Sequence, residues 1–210
     1  MYFDIIPDKI LAFTEERNQM YLRLASAFTY PEQEIVEELL GETKSFSVFI
    51  QGSANEILQS MQIEYTRLFI NTAYESLLAP PYESYYRHEQ SLLMHPSTIM
   101  DLKCLFQQAG LDIAEEIDLA PDHIAVEFEF MSYLVEEEHE YRKNNDEAKL
   151  AMVLNMQKKF IEMHLNVWIA QFFEKISRHS DHYFYKEMSQ IGKRFLQKEV
   201  NLFRNTKYSN

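Results

Sequence analysis

The sequence predicts an all-α fold, in the form of a single-domain compact bundle of about six or seven helices. Apolar residues recur at helical spacing along most of the chain, and no segment shows the alternation of a convincing β-strand. The chain also has only 4 Gly and 6 Pro among its 210 residues, so positions that favour turns are few. These three features are typical of a helical domain with few long loops.

A chain of this length can hold its own core. With 46% apolar residues, one domain can bury roughly 70% of the surface that its unfolded chain exposes, so it needs no disulfide or metal to fold. We expect this domain to extend over residues 1–204. Residues 205–210 are expected to form a frayed C-terminal tail.

The first two helices are predicted from apolar spacing and from proline and glycine positions. An apolar face marks the first helix: Ile10, Phe13, Tyr21, Leu24, Ala25 and Phe28. Pro31 ends this helix, because the residue before a proline avoids the helical conformation. Residues 32–40 predict a short second helix that stops at Gly41, and residues 42–52 are ambiguous.

The third helix is predicted to begin where Ser53 or Asn55 can cap it, and its apolar spacing continues to Phe69. The segment from Tyr74 to His95 is different. It contains Pro80-Pro81 and five tyrosines and histidines: Tyr82, Tyr85, Tyr86, His88 and His95. Because adjacent prolines cannot lie inside a helix, we expect a long ordered loop here, and such loops are often functional.

Four further helices are predicted in the second half of the chain. They cover residues 96–110, 122–144, 147–177 and about 184–202. A second loop, residues 111–121, precedes Asp122, which is expected to cap the fifth helix. His123 would then project from the first turn of that helix.

The formal net charge of −13 limits the classes of partner. Nucleic-acid binding depends mainly on Lys and Arg that neutralise phosphates, and this chain has 20 Lys and Arg against 33 Asp and Glu. Nucleic acid and anionic lipid are therefore disfavoured as partners. The charge favours a basic partner through long-range attraction, or it serves only to keep the protein soluble.

The predicted compartment is the cytoplasm. Residues 1–30 lack a basic segment followed by an apolar run and a cleavage site, so no targeting signal is evident. Apolar runs such as Val167–Phe173 are short, so no stable membrane insertion is predicted. Cys104 is the only cysteine, which fits a reducing compartment, and we expect it to be a small buried hydrophobic residue.

The sequence argues against an enzyme and predicts no cofactor. It has no Gly-x-Ser-x-Gly elbow and no glycine-rich phosphate loop. Glu136 and His139 have the spacing used in di-iron bundles, but such bundles need two Glu-x-x-His pairs and two more glutamates. The single pair lies in the acidic run Glu136–Glu138, which we interpret as a solvated face, so no metal site is predicted.

His164, Trp168 and the methionines are assigned to the core. His164 and Trp168 lie on the apolar face of the sixth helix, where a hydrogen-bonded histidine and a packed tryptophan are expected. The 10 methionines suit either gaps in the core or a surface for apolar peptides, and we favour the core.

Two segments are poorly explained by core packing alone. Residues 79–86 concentrate rigid aromatic side chains on the predicted loop, next to Arg87. Residues 120–124 place Asp122 and His123 at the start of the fifth helix. An ordinary loop and an ordinary helix cap also account for these patterns.

These segments, in their order along the chain, resemble the TorD/DmsD/NarJ family of redox-enzyme maturation chaperones. The resemblance covers residues 15–200. The matching stretches are Glu64–Phe69, Pro80–Tyr85, Pro121–Ile124 with Glu127–Met131, and His164–Trp168 followed by Phe172. Their order and spacing carry the resemblance.

The resemblance implies an all-helical TorD-like fold and a chaperone that is not an enzyme. Members bind the twin-arginine signal peptide, or another part, of a molybdopterin-enzyme catalytic subunit. They hold this immature subunit in the cytoplasm until its cofactor is inserted. Carried over to this chain, the peptide-binding residues are Tyr82, Glu83, Ser84, Tyr85, Asp122 and His123. Tyr65, Leu68 and Phe69 also match a family motif, but their apolar spacing predicts packing.

Several alternatives stay open. Many family members carry Glu-Pro-x-Asp-His at the turn, whereas this chain has Leu119-Ala120-Pro121-Asp122-His123, which leaves the subfamily and the client unassigned. The oligomeric state is a monomer or a homodimer. Rival functions are a general helical protein-interaction module unconnected with redox enzymes, and a metal- or cofactor-binding helical bundle.

Overall fold

The computed structural model describes residues 7–34, 36–37, 52–70, 77–87, 96–111 and 119–205. These residues form an all-α bundle, which confirms the predicted fold class. The helices are α1 (Pro7–Ala27), α2 (Ala54–Tyr65), α3 (Glu83–Arg87), α4 (Pro96–Gln108), α5 (Ile124–Lys143), α6 (Glu147–Phe160), α7 (Asn166–His179) and α8 (Tyr183–Asn205). The π-helical turn Ile161–Leu165 joins α6 to α7, so these two form one continuous helix. Counted in this way, the described residues contain seven helices of five residues or more.

Local capping signals set several helix ends. The Ser53 hydroxyl accepts the Glu56 N–H at 3.4 Å, and the Glu56 carboxylate accepts the Ser53 N–H at 2.8 Å. The predicted cap of α2 is therefore confirmed as a capping box. Between α5 and α6, Asn145 has a positive φ of 54°, and the Asp146 carboxylate accepts the Lys149 N–H at 3.1 Å. The predicted break between these helices is confirmed.

The core is built around α5, which packs along α1 and against α6, while α7 packs against α8 and carries the short α3. Aromatic side chains dominate this core. The largest fully buried ones include Tyr21, Phe28, Phe128, Phe160, Trp168, Phe172, Phe173 and Phe184. Many of their rings meet edge to face, as do Phe28 and Phe172 with centroids 5.3 Å apart. Among the described helices, none combines the length and apolar character that a membrane span requires.

A buried ion network ties α1 to three other helices. The Arg17 guanidinium donates to both carboxylate oxygens of Glu199 at 2.9–3.1 Å and to Glu138 at 2.6 Å. It also donates to the Gln157 side chain at 2.7 Å. The prediction that the acidic run ending at Glu138 is a solvated face is wrong for this residue, which is buried. The helical period turns Glu138 inward, where Arg17 and Arg142 neutralise its charge.

Two further residues differ from the prediction. Cys104 is exposed, not buried, because it lies opposite the buried face of α4. That face is formed by Thr98, Leu102, Leu105 and Phe106. Phe13, predicted on the apolar face of α1, is also exposed, and its ring centroid lies 5.8 Å from the Arg17 guanidinium carbon.

The methionines divide between core and surface. The assignment to the core is confirmed for Met61, Met131 and Met188. It is wrong for Met100, Met152 and Met163, which are 49–70% exposed. Helical position rather than residue type decides between the two groups.

Parts of the prediction fall outside the described residues. The second helix, predicted at 32–40, is described only at residues 32–34 and 36–37. Residues 42–51 and 112–118, and residues 206–210 of the predicted tail, also lie outside.

Candidate functional site

The two segments that core packing explained poorly lie side by side. Residues 79–87 and 119–124, hereafter the paired segments, are joined by an antiparallel bridge between Tyr82 and His123. The Ile124 N–H donates to the Pro81 carbonyl at 2.9 Å, and the Glu83 N–H donates to the Asp122 carbonyl at 3.0 Å. Segments about 40 residues apart in sequence thus form one unit.

The first paired segment is not the long loop that the sequence predicts. A short helix, α3, begins at Glu83, directly after Pro80-Pro81 and Tyr82. Prolines exclude only the helix that contains them, and they are compatible with a helix that starts just beyond. His88 and His95, which belonged to the same prediction, lie outside the described residues.

The prediction that Asp122 caps α5 is wrong, because His123 is the cap. The His123 Nδ1 accepts the Ala125 N–H at 3.2 Å. Asp122 is turned towards the other segment, where its Oδ2 accepts the Ser84 N–H at 3.1 Å. Asp122 therefore stabilises the start of α3 and not that of its own helix.

His123 does not project from the first turn of α5, as the sequence predicted. Its side chain is 1% exposed, and its ring centroid lies 5.2 Å from that of Tyr82. Burial lowers the pKa of His123 to about 4, so the imidazole is neutral at neutral pH.

Glu83 connects α3 to the π-helical turn before α7. Its Oε2 lies 2.9 Å from the His164 Nδ1, and its Oε1 accepts a hydrogen bond from Arg87 at 2.8 Å. Glu83 has no exposed surface. The prediction that His164 is a core histidine with a hydrogen-bond partner is confirmed.

Beneath the paired segments, Trp168 links α7 to α5. The Trp168 indole N–H donates to the Glu127 Oε2 at 3.2 Å, and the Tyr86 ring stacks on the indole with centroids 5.2 Å apart. Burial and the neighbouring Glu83 carboxylate raise the pKa of Glu127 well above its usual range. Sequence reasoning missed Glu127 as a site residue. The available signal was a lone acid on the same face of the helix as Phe128 and other buried apolar residues.

The six predicted site residues differ in exposure. Four of them, Glu83, Ser84, Asp122 and His123, are 0–2% exposed. Tyr82 and Tyr85 are partly exposed. The Lys175 ammonium lies 5.5 Å from the Tyr85 ring centroid. Of the six predicted residues, the two tyrosines therefore reach the surface, and the other four side chains lie underneath.

Several polar atoms under this surface lack hydrogen-bond partners within the described part of the chain. They are the Ser84 Oγ, the Tyr86 hydroxyl, the Asp122 Oδ1 and the Glu127 Oε1. Burial raises the pKa of Asp122, although the hydrogen bond from the Ser84 N–H acts in the opposite direction. Across the described ranges, no group of three or more His, Cys, Asp or Glu side chains has a metal-binding arrangement.

The motif that begins at Glu64 holds the connection between α7 and α8. The Glu64 carboxylate accepts hydrogen bonds from the Arg67 guanidinium, the Ser180 hydroxyl and the Asp181 N–H at 2.7–3.0 Å. Burial disfavours its charge, but these hydrogen bonds lower the pKa of Glu64 to about 2. The predicted packing role is confirmed for Tyr65, Leu68 and Phe69, which are buried.

Comparison with known proteins agrees with this architecture. The family model of the nitrate reductase delta subunit matches residues 24–174. The chaperone protein TorD of Vibrio parahaemolyticus is 26% identical over 206 residues, which cover 87% of this chain and 92% of that protein. TorD of Photobacterium profundum is 26% identical over 198 residues, which cover 84% and 89%.

A solved structure has the same fold. It is a candidate redox enzyme maturation protein from Archaeoglobus fulgidus, with a TM-score of 0.56 and 23% identity. The match covers 86% of this chain and 93% of that one. The family match includes both paired segments and Trp168. The chain belongs to the nitrate reductase delta subunit family, and it is a TorD-like redox-enzyme maturation chaperone rather than an enzyme.

Proposed function

We propose that this chaperone acts in the cytoplasm on an immature molybdopterin-containing oxidoreductase subunit. It binds the signal peptide or N-terminal region of that subunit and holds it during cofactor insertion, before twin-arginine export. The observation that carries the proposal is the pairing of residues 79–87 with residues 119–124. This pairing gathers all six predicted peptide-binding residues into one unit. The TorD relatives support the class of client.

Within this unit the six residues have different roles. Tyr82 and Tyr85 contact the peptide, because they are the partly exposed members. An aromatic ring with a polar tip offers rigid apolar area and one hydrogen-bonding group. Asp122 and His123 keep the paired segments together through the bridge and the bond to the Ser84 N–H. They position the tyrosines from beneath the surface, where they are buried.

Charge and apolar burial together give a suitable affinity. A twin-arginine signal has a basic start, which the net charge of −13 attracts, and an apolar middle that packs on the tyrosines. Burial of ~400 Å² of apolar surface contributes roughly 10 kcal/mol before costs. Ordering the peptide costs about 2–5 kcal/mol, and lost translational and rotational freedom adds more. Micromolar binding, which allows release, is the expected result.

The double substitution Tyr82→Ser with Tyr85→Ser tests the contact surface. A synthetic peptide with two consecutive arginines and a following apolar run is titrated into the wild type and the variant by calorimetry. We expect the affinity to fall roughly 10- to 100-fold, because loss of buried aromatic surface is worth about 1.5–3 kcal/mol. The far-ultraviolet circular dichroism is expected to stay unchanged.

A matched control is available at the other end of α5. Tyr141 is also partly exposed, and it lies roughly 25 Å along the helix from the paired segments. Tyr141→Ser is expected to bind the peptide as tightly as the wild type does. Full affinity in the folded double variant, or an equal loss in Tyr141→Ser, contradicts the assignment.

The client itself is identified by affinity capture from anaerobically grown source cells, followed by mass spectrometry. A molybdoenzyme catalytic subunit is the expected partner, and its N-terminus shows whether twin arginines are present. Recovery of unrelated proteins alone, with that subunit expressed in the cells, contradicts the proposed class of client.

A further inference from the structure

The helix α6 has an uncharged face that is open to solvent. Four exposed residues at helical spacing form this face, hereafter the α6 face: Ala148, Ala151, Met152 and Asn155. Met152 is 70% exposed, the highest value among the large apolar side chains of the described residues. The exposed side of α8, by contrast, carries charges such as Lys193 and Arg194. On a chain with a net charge of −13, an uncharged face with a protruding apolar side chain is typical of an interaction surface.

A groove of about 120 Å³ runs beside the α6 face, between α6, the second half of α5 and the end of α4. Met152 and Met156 form its wall on the α6 side. On the opposite side, the Tyr133 hydroxyl donates to the Ala109 carbonyl at 3.2 Å and so ties α5 to the end of α4. Because methionine side chains are flexible and polarisable, this wall suits contact with another apolar surface.

The two ends of α6 carry opposite charges that flank the α6 face. Glu147 precedes this face and Lys158 follows it, with Met152 close to the midpoint between them. The two residues are about three turns apart, so they lie on the same side of the helix. Within the described part of the chain neither has an ion-pair partner, whereas the Lys149 ammonium lies 3.6 Å from the Asp146 carboxylate. The charges of Glu147 and Lys158 are therefore available to a partner molecule.

We propose that the α6 face is the interface of a homodimer, in which the α6 helices of two copies pack antiparallel about a two-fold axis near Met152. Such an interface is isologous, so each contact occurs twice. Glu147 of one copy lies opposite Lys158 of the other, and the reverse contact is formed at the other end. Each Met152 reaches the groove of the other copy. Ala148 and Ala151 let the two backbones approach closely.

The order of charges along α6 selects a second copy as the partner. A surface complementary to α6 must be basic opposite Glu147, acidic opposite Lys158 and uncharged between them. The same helix in the reverse direction has this pattern. The net charge of −13 on each copy opposes association, and one helix with a groove gives a small interface. The dimer is therefore weak and forms reversibly with protein concentration.

Sedimentation velocity of the full chain, from low micromolar to high micromolar concentration, tests the dimer. We expect the wild type to shift from monomer towards dimer as its concentration rises. Met152→Glu places two like charges beside the two-fold axis and should weaken self-association about 10- to 100-fold. Ile63→Glu is the matched control, since Ile63 is 63% exposed on α2, and it should associate as the wild type does.

A charge exchange between two variants tests the antiparallel arrangement. Glu147→Lys alone places lysine opposite lysine at both ends of the interface, and Lys158→Glu alone places glutamate opposite glutamate. Each variant is therefore expected to self-associate less than the wild type. An equimolar mixture of the two restores opposite charges at both ends, so we expect it to form a heterodimer about as readily as the wild type forms its dimer. Only a partner that is a second copy of this helix predicts this recovery.

Three results would overturn the proposed dimer. They are a wild type that stays monomeric at the highest concentration, equal association of Met152→Glu and Ile63→Glu, and no recovery in the mixture of charge variants. Should Met152→Glu not fold, as circular dichroism shows, the charge exchange still decides. Neither result affects the peptide-binding proposal, because the paired segments lie at the start of α5 and the groove lies along its second half.

Discussion

Replacement of Arg17 by methionine is predicted to be among the most destabilising single substitutions in this chain. Its guanidinium makes five hydrogen bonds to Glu199, Glu138 and Gln157, and Arg17 is 3% exposed. Burial opposes the charge of Arg17, but Glu199 and Glu138 raise its pKa. Methionine has similar length and leaves these partners without their donor.

The magnitude follows from what remains after the substitution. Glu138 retains Arg142 at 2.7 Å, so part of its charge stays neutralised. Glu199 retains only the Tyr21 hydroxyl at 2.9 Å among its described hydrogen-bond donors. Removal of one partner from a buried pair costs about 3–5 kcal/mol, because an uncompensated charge stays buried. Domains are typically stable by about 5–15 kcal/mol, so this loss is a large part of the total.

Urea unfolding followed by circular dichroism measures the loss. The double variant Arg17→Met with Glu199→Met removes the charge together with its partner, and it is expected to be more stable than Arg17→Met alone. Arg178→Met is the matched control, since Arg178 pairs with Glu174 on the surface and should contribute less than about 1 kcal/mol. A loss below about 1 kcal/mol in Arg17→Met, or no recovery in the double variant, would refute this account.

Three further predictions concern local features. Ser53→Ala removes the capping box of α2 and should cost about 1 kcal/mol in thermal or urea unfolding, and an unchanged midpoint would contradict the cap. Glu64 has a lowered pKa, so its stabilising effect is present above about pH 4.5 and is lost as the pH falls through about 2. Glu64→Gln should therefore be less stable than the wild type at neutral pH, with a difference that shrinks on acidification; a difference independent of pH would argue against this. Gly192→Ala would place a methyl group 2.5 Å from the Phe173 ring, so we expect a cost of about 1–3 kcal/mol by the same measurement. A variant as stable as the wild type would show that the ring shifts freely.

The fold was largely predictable because its signals are local. The caps at Ser53 and Asp146 depend on neighbours within three residues. Helical spacing likewise depends only on positions within one segment. The errors occur where distant residues decide. Glu138 looked solvated because its partner Arg17 is 121 positions away.

The two segments singled out in the sequence do pair in the structure, but the geometry of their side chains was not predictable. Aromatic and proline residues on a loop, and an Asp-His pair at a helix start, were sufficient to select both paired segments. The direction of Asp122 depends on Ser84, 38 positions earlier, and the role of Glu83 depends on His164, 81 positions later. A local capping rule therefore assigned Asp122 to the wrong helix. Only the assembled bundle shows that most of these side chains lie beneath the surface.

The π-helical turn Ile161–Leu165 restricts insertions and deletions during evolution. Such a turn holds one residue more than an α-helical turn. Deletion of a single residue there would restore a regular α-helix, and it would rotate α7 about the helix axis by about 100° relative to α6. His164 and Trp168 would then no longer face Glu83 and Glu127 together. Changes of length are better tolerated around Asn145, an exposed turn residue between helices. Homologues should therefore vary in length at that turn and keep a constant residue count through the long helical segment.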